Sequence, residues 1–213
     1  MAITFYYGSG SPFSWKVWLA LEHKQLPYVF NVLRLQQGEQ KKPEYLAINP
    51  RGKVPALIDD GFVIWDSAAI VEYLEERYPE RHILPGDLHE RAIARRVVAE
   101  ANQHLYPAVR RMLDQTLFRS DGGGDPAAIS LALTDLQREL SYFEDALCGD
   151  YCAGNLSLAD FTLYPVLALI KRLHDKQPQH AVGALLGQKL VAFMQRIEQL
   201  PYCAKTFPPH WKE

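Results

Sequence analysis

Apolar residues change their spacing partway along the chain. Through the first 79 residues they come in short runs separated by turn residues; after that they recur at helical intervals to the end. The opening run ITFYY is β-branched and aromatic and closes at Gly8 and Gly10, which predicts a strand. From Pro12 to Lys24, Phe13, Val17 and Leu21 share a helical face with Leu19 and Ala20 beside it. Pro27 introduces a second strand, YVFNVL, and KKPEYLAINP reads as a short helical or irregular connection. VPALI and FVIW are two more strands across Asp59-Asp60-Gly61, a hairpin signal because Asp-Gly tolerates the positive φ of a tight turn. Asp66 and Ser67 then open a helix whose Ile70, Val71, Leu74 and Tyr78 share a face. The order βαβ followed by ββα predicts a small α/β domain with a four-stranded mixed sheet over residues 1–79.

Pro79, Pro85 and Gly86 break the pattern, so 80–87 reads as a linker. From 88 to 213 the strand signals vanish and an all-helical region is expected. It comprises a long helix from Leu88 to Leu113 with a kink at Pro107, a loop at RSDGGGDP, and a helix from Pro126 to Leu147. A further helix begins at LSLADFTLYPVLALI, and a last one covers Val182 to Gln199.

Composition narrows the function classes. Hydrophobic residues make up 48% of 213, enough for a real core. Charged residues are 23% with a net of -2, and there is no long basic run, which speaks against nucleic acid or an anionic membrane as partner. No apolar segment reaches the roughly 20 residues a bilayer span needs. The N-terminus has neither the basic start nor the apolar stretch of a signal peptide, so a soluble cytoplasmic protein is the expectation. Cys148, Cys152 and Cys203 are odd in number and lack the partners of a zinc site. They read as inert fillers, and no metal is expected.

Three stretches carry chemistry. In Ser11-Pro12-Phe13-Ser14-Trp15-Lys16, Ser is favoured as N-cap and Pro at the first helical position. The same helix start favours an anion such as a thiolate, and a serine hydroxyl donating to sulfur would lower the thiol's pKa. In Lys53-Val54-Pro55-Ala56-Leu57, proline starts a strand without donating to the ladder. That is an ordinary strand entry, or it leaves Val54 to pair its backbone with an extended peptide ligand. Asp66-Ser67 caps a helix. It could also meet the α-amino acid end of a peptide, with hydroxyl and amides for a carboxylate and Asp66 for an ammonium.

In this order on a βαβββα unit, these motifs resemble the cytosolic glutathione transferase family over almost the whole chain. The resemblance extends to the turn Ile48-Asn49-Pro50-Arg51-Gly52, to Asp66-Ser67, which reads Glu-Ser in many members, and to Gly154-Asn155-Leu156-Ser157-Leu158-Ala159-Asp160. In the last of these Ser157 caps a helix and Asp160 answers it three positions on, a structural capping box. The resemblance implies a thioredoxin-like glutathione-binding domain followed by the family's helical domain. It implies a serine-type member in which Ser11 stabilises the glutathione thiolate and Val54 pairs with the cysteinyl backbone. Pro55 would be the cis-proline, Asp66 and Ser67 would hold the γ-glutamyl end, and Gln40 and Lys53 the glycine end. Lys41, Lys42 and Arg51 add positive charge nearby, with Lys42 reading as a solvated face.

The implied activity is conjugation of glutathione, a co-substrate rather than a cofactor, to a small hydrophobic electrophile by a homodimer. The second substrate's pocket is expected between the domains, lined by Phe13, Leu105, Tyr106, Val109 and Arg110 or Met112. Tyr6 and Tyr7 rival Ser11, because other classes use a tyrosine at the end of the first strand. Ser14 reads as backbone support and Ser9 as a turn residue. No cysteine lies in this loop, which marks down thiol-disulfide chemistry. Ser14-Trp15-Lys16-Val17 resembles the zeta-class Ser-Trp-Arg-Val, but Ser11-Pro12-Phe13 stands where that class has Ser-Ser-Cys. A glutathione-dependent isomerase or dehalogenase, or a non-enzymatic member of the fold, is the alternative.

Overall fold

The computed structural model describes residues 3–119 and 124–211. In chain order the elements are β1 (Ile3–Gly8), α1 (Pro12–His23), β2 (Tyr28–Leu33), α2 (Pro43–Leu46), β3 (Ala56–Asp59), β4 (Phe62–Trp65) and α3 (Ser67–Arg77). There follow α4 (Leu88–Glu100), a π-helical turn (Ala101–Leu105), α5 (Tyr106–Gln115), α6 (Pro126–Ala146), α7 (Leu158–Lys176), α8 (Gln188–Glu198) and α9 (Cys203–Thr206). The loop expected at RSDGGGDP lies in part outside the described residues. Contacts divide the chain into two compact units, Met1–Leu84 with Leu200–Glu213, and Pro85–Gln199.

The first unit is built on a four-stranded mixed sheet of order β2-β1-β3-β4. β1 runs parallel to β2, with Ile3 opposite Tyr28, and antiparallel to β3, with Phe5 opposite Leu57. Alternation along β1 sorts its side chains. Ile3, Phe5 and Tyr7 are buried, and Tyr7 meets Trp18 of α1 edge-on at 5.1 Å. Tyr6, pointing the other way, meets Tyr45 of α2 at 5.8 Å. The hairpin turn has positive φ at both Asp60 (47°) and Gly61 (89°), the conformation that Asp-Gly accepts and that matches the strand twist. α1 is buried from Pro12 to Leu21 at every position except Phe13. A helix apolar nearly all round needs cover on several sides. The sheet and α3 supply part of it, and α9 the rest. The residues from Leu200 onward, which the sequence assigns to the helical region, therefore belong to the first unit.

The second unit is helical. Asp87 and Glu90 form a capping box at the start of α4. The single long helix with a kink at Pro107 is instead three segments. The π turn precedes Pro107 and runs directly into α5, and such a turn accommodates a residue that cannot donate to the helix ladder. α7 is the core helix, buried without a break from Leu158 to Ile170. Its box forms as the motif predicts. The buried Asp160 carboxylate accepts the Ser157 N–H at 2.7 Å, the Ser157 hydroxyl at 3.0 Å and the Cys152 N–H at 2.8 Å. The helix expected from Val182 begins only at Gln188, because Val182–Leu185 is a 3-10 turn. Glu144 of α6 sets that start, accepting the N–H groups of Lys189 and Leu190 at 2.8 and 2.9 Å.

Candidate functional site

The three serines of the β1–α1 turn have three different partners. Ser11 is the N-cap of α1, with φ -76° and ψ 119°, and its hydroxyl accepts the Ser14 N–H at 3.4 Å. Pro12 follows in the first turn, and no acidic residue there offsets the partial positive charge of the helix start. Ser14 is fully buried and its hydroxyl accepts the Gly8 N–H at 3.3 Å, so it braces the turn from within. Ser9 bonds with His210 at 2.7 Å. Of the rivals, Tyr7 is a core residue whose phenol pKa is raised by burial, and Tyr6 lies on the opposite face of the sheet.

The Val54–Pro55 peptide bond is cis. The residue before it is held firmly, since the Lys53 carbonyl accepts both the Tyr45 hydroxyl and the Asn49 amide at 2.6 Å. Asn49 also accepts the Arg51 N–H at 3.0 Å. Val54 thus sits just ahead of Ala56, the first β3 residue paired with β1 and β4. Asp66, the N-cap of α3, has φ 73°, which is uncommon for a non-glycine residue. Such conformations cost about 1–3 kcal/mol and cluster where ligands bind. Its carboxylate accepts the N–H groups of Ala68 and Ala69 at 2.9 and 3.3 Å. Ser67, next to it, is buried.

Lys16 is the residue that the sequence reading passed over. It is 1% exposed and among the described residues its amine has no hydrogen-bond partner; the Phe13 ring centroid lies 5.9 Å away. Burial lowers its pKa to about 8, and the charge of Asp66 acts in the opposite sense. The one available signal was a lysine set among the apolar residues of the Trp15–Leu21 run of α1.

The remaining expected residues are more scattered. Gln40 is half-buried and reaches the Leu35 carbonyl only at 3.5 Å, while Lys53 is exposed. Phe13 is half-buried in the first unit. In the second unit, Leu105 and Val109 are fully buried. Both fall on the inner side of consecutive helical turns. Tyr106 is half-buried, and Arg110 is exposed and paired with Asp114 at 2.7 Å. Of the cysteines, Cys203 is buried, Cys152 is half-buried with its thiol pushed up by burial and by Asp160, and Cys148 is exposed. Among the described residues no group of three or more His, Cys, Asp or Glu side chains could hold a metal ion, and no helix is long and apolar enough to cross a membrane.

Residues 10–77 match the glutathione S-transferase N-terminal domain. Over 197 residues the chain is 42% identical to glutathione S-transferase Z1 of Arabidopsis thaliana, covering 91% of this chain and 86% of the relative. The chain belongs to the glutathione S-transferase family. It is also 30% identical over 194 residues to maleylacetoacetate isomerase of Dictyostelium discoideum, covering 88% of each. The crystal structure of a glutathione S-transferase from the Antarctic clam Laternula elliptica matches with a TM-score of 0.84 at 30% identity, covering 100% of this chain and 95% of that one. In the terms of this glutathione S-transferase family, the four-stranded sheet with its helices is the N-terminal thioredoxin-like domain, and a helical C-terminal part follows it.

Proposed function

We propose that the chain is a glutathione transferase in which Ser11 stabilises the thiolate of bound glutathione for attack on a small hydrophobic electrophile. Val54 pairs with the peptide backbone and Pro55 fixes the turn that presents it. Asp66 and Ser67 take the γ-glutamyl end, and Gln40 and Lys53 lie toward the glycine end. The observation that carries the reading is Lys16. Its buried amine, in the same helix that Ser11 caps and within reach of the Asp66 charge, has the Phe13 ring beside it but no hydrogen-bond partner among the described residues, so an anionic ligand admitted to it would supply one. A carboxylate arriving there would supply the missing partner and repay the burial. At the helix start the dipole and the Ser11 hydroxyl both favour sulfur as an anion, so the nucleophile is ready at neutral pH. A homodimer and a cytoplasmic location are part of the proposal, carried by family membership.

The test is replacement of Ser11. Ser11→Ala should lower turnover about 100- to 1,000-fold, the effect of removing one donor to a reacting anion, with glutathione affinity held within a few-fold. Tyr6→Phe and Tyr7→Phe should stay close to the parent. A large loss in Tyr7→Phe and none in Ser11→Ala would hand the role to the tyrosine.

A second reading has its own support. The relative from Dictyostelium discoideum is named an isomerase, and Ser14-Trp15-Lys16-Val17 keeps the zeta-like pattern. Here glutathione would add to a cis double bond and leave again, with no net conjugation. Assays with electron-poor haloarenes, maleyl-type cis-alkenes and haloalkanoates separate the outcomes by whether glutathione is consumed.

A further inference from the structure

The C-terminal segment straps the start of α1. The Trp15 indole donates to the Thr206 hydroxyl at 2.8 Å, and its ring meets Phe207 and Trp211 edge-on at 5.6 and 5.5 Å. Lower on the same helix, Lys205 pairs with Glu22 at 2.6 Å and Tyr202 bonds with His23 at 2.8 Å. At its far end the strap reaches the β1–α1 turn itself, where His210 Nδ1 lies 2.7 Å from Ser9 Oγ. The fit around Gly10 is close. Gly10 has φ +80°, and a Cβ placed on it would lie 3.0 Å from both His210 Cε1 and Trp211 Nε1.

Ser9 and Gly10 are the two residues before Ser11. The Ser11 backbone N–H donates to the Gly8 carbonyl at 3.0 Å, but among the described residues its hydroxyl has only the long 3.4 Å contact with the Ser14 N–H. Such a contact is weak and does little to aim a hydroxyl. The direction of the Ser11 side chain is therefore set by the backbone of the turn, and the strap holds that backbone.

We propose that His210 is a positioning residue for Ser11. By its bond to Ser9 and its packing on Gly10, it keeps the Gly8–Ser11 turn in the conformation that aims the Ser11 hydroxyl at the ligand's sulfur. The aim, though not the bracing, rests on the thiolate reading above. The bond uses Nδ1, the ring nitrogen nearer the backbone. An asparagine amide places a polar atom at the same distance from Cα; a phenylalanine keeps the packing and loses the bond.

Two measurements on the full-length protein decide it. The first, without any ligand, is hydrogen exchange of the amides of residues 8–14. His210→Ala and His210→Phe should exchange about tenfold faster at Ser11 and Ser14, the effect of losing one hydrogen bond, and His210→Asn should match the parent. The second compares turnover with glutathione affinity. His210→Ala should lower kcat by about the same factor with the dissociation constant nearly unchanged, and His210→Asn should restore it. Unchanged exchange in His210→Ala overturns the bracing with the thiolate reading intact. His210→Asn as defective as His210→Ala overturns the role of the bond. A parent protein that binds no glutathione overturns the thiolate reading and the aim built on it, while the exchange measurement still decides the bracing.

Discussion

At the scale of single residues, Lys16 sets a stability cost against a binding role. Its amine is buried with no hydrogen-bond partner among the described residues, and burial brings its pKa from 10.5 to about 8. The neutral form is therefore favoured in the folded state relative to the unfolded chain. Below about pH 8 folding bears the full burden of burying a cation, roughly 3 kcal/mol at 1.36 kcal/mol per unit of pKa. That burden lifts as pH rises from about 8 toward 10.5, where the unfolded lysine also loses its proton. Lys16→Met should thus melt at a higher temperature than the parent near neutral pH, with the gap narrowing in alkaline buffer. The same variant should bind glutathione at least about tenfold more weakly by calorimetry, since a charged hydrogen bond is lost. Parent-like affinity in Lys16→Met would remove the observation on which the proposed function stands.

At the scale of elements, two helices of the second unit show what local sequence can and cannot specify. The box at the start of α7 is written within four residues, and Ser157 and Asp160 form it as read. Asp160→Ala would strand buried N–H groups of Ser157 and Cys152 and should destabilise the protein by about 2–4 kcal/mol in urea unfolding. The start of α8 has no such local mark. Gly187 occupies its N-cap without a side chain to offer, and the capping oxygens come from Glu144, 45 residues earlier in sequence than Lys189. Glu144→Ala should speed exchange of the Lys189 and Leu190 amides and lower stability by about 1 kcal/mol, leaving the rest of α8 protected. A helix start supplied by another helix cannot be read from periodicity. The same is true of the π turn before Pro107, which spreads a proline's missing N–H over the preceding turn.

At the scale of the whole molecule, the first unit is discontinuous in sequence, closed by residues that follow the whole of the second unit. Trp15 is fully buried, and its surroundings include Thr206, Phe207 and Trp211. A buried tryptophan removes about 150–250 Å² from water, worth roughly 4–6 kcal/mol. Losing a large part of that is comparable to the whole stability of a small domain, about 5–15 kcal/mol. A fragment ending at Leu84 should therefore show no cooperative thermal unfolding, although it holds every strand of the sheet. A cooperative melt in that fragment, near the full-length midpoint, would show that the C-terminal segment is dispensable for the unit.

The sequence by itself determined what depends on near neighbours. The strand order signals, the Asp-Gly hairpin, the caps at Ser11, Asp66 and Ser157, and the family likeness carried by those motifs all sit within a few residues, where φ preferences and first-turn hydrogen bonding decide. Tertiary structure alone decided which serine is braced by what, that Tyr7 lies in the core while Tyr6 faces the other side of the sheet, and that Lys16 is buried with no hydrogen-bond partner among the described residues. It also decided that residues from Leu200 onward return to α1. Each of these depends on groups brought together from distant positions, as Ser9 and His210 are across 201 residues, and no pattern of local spacing records such a meeting.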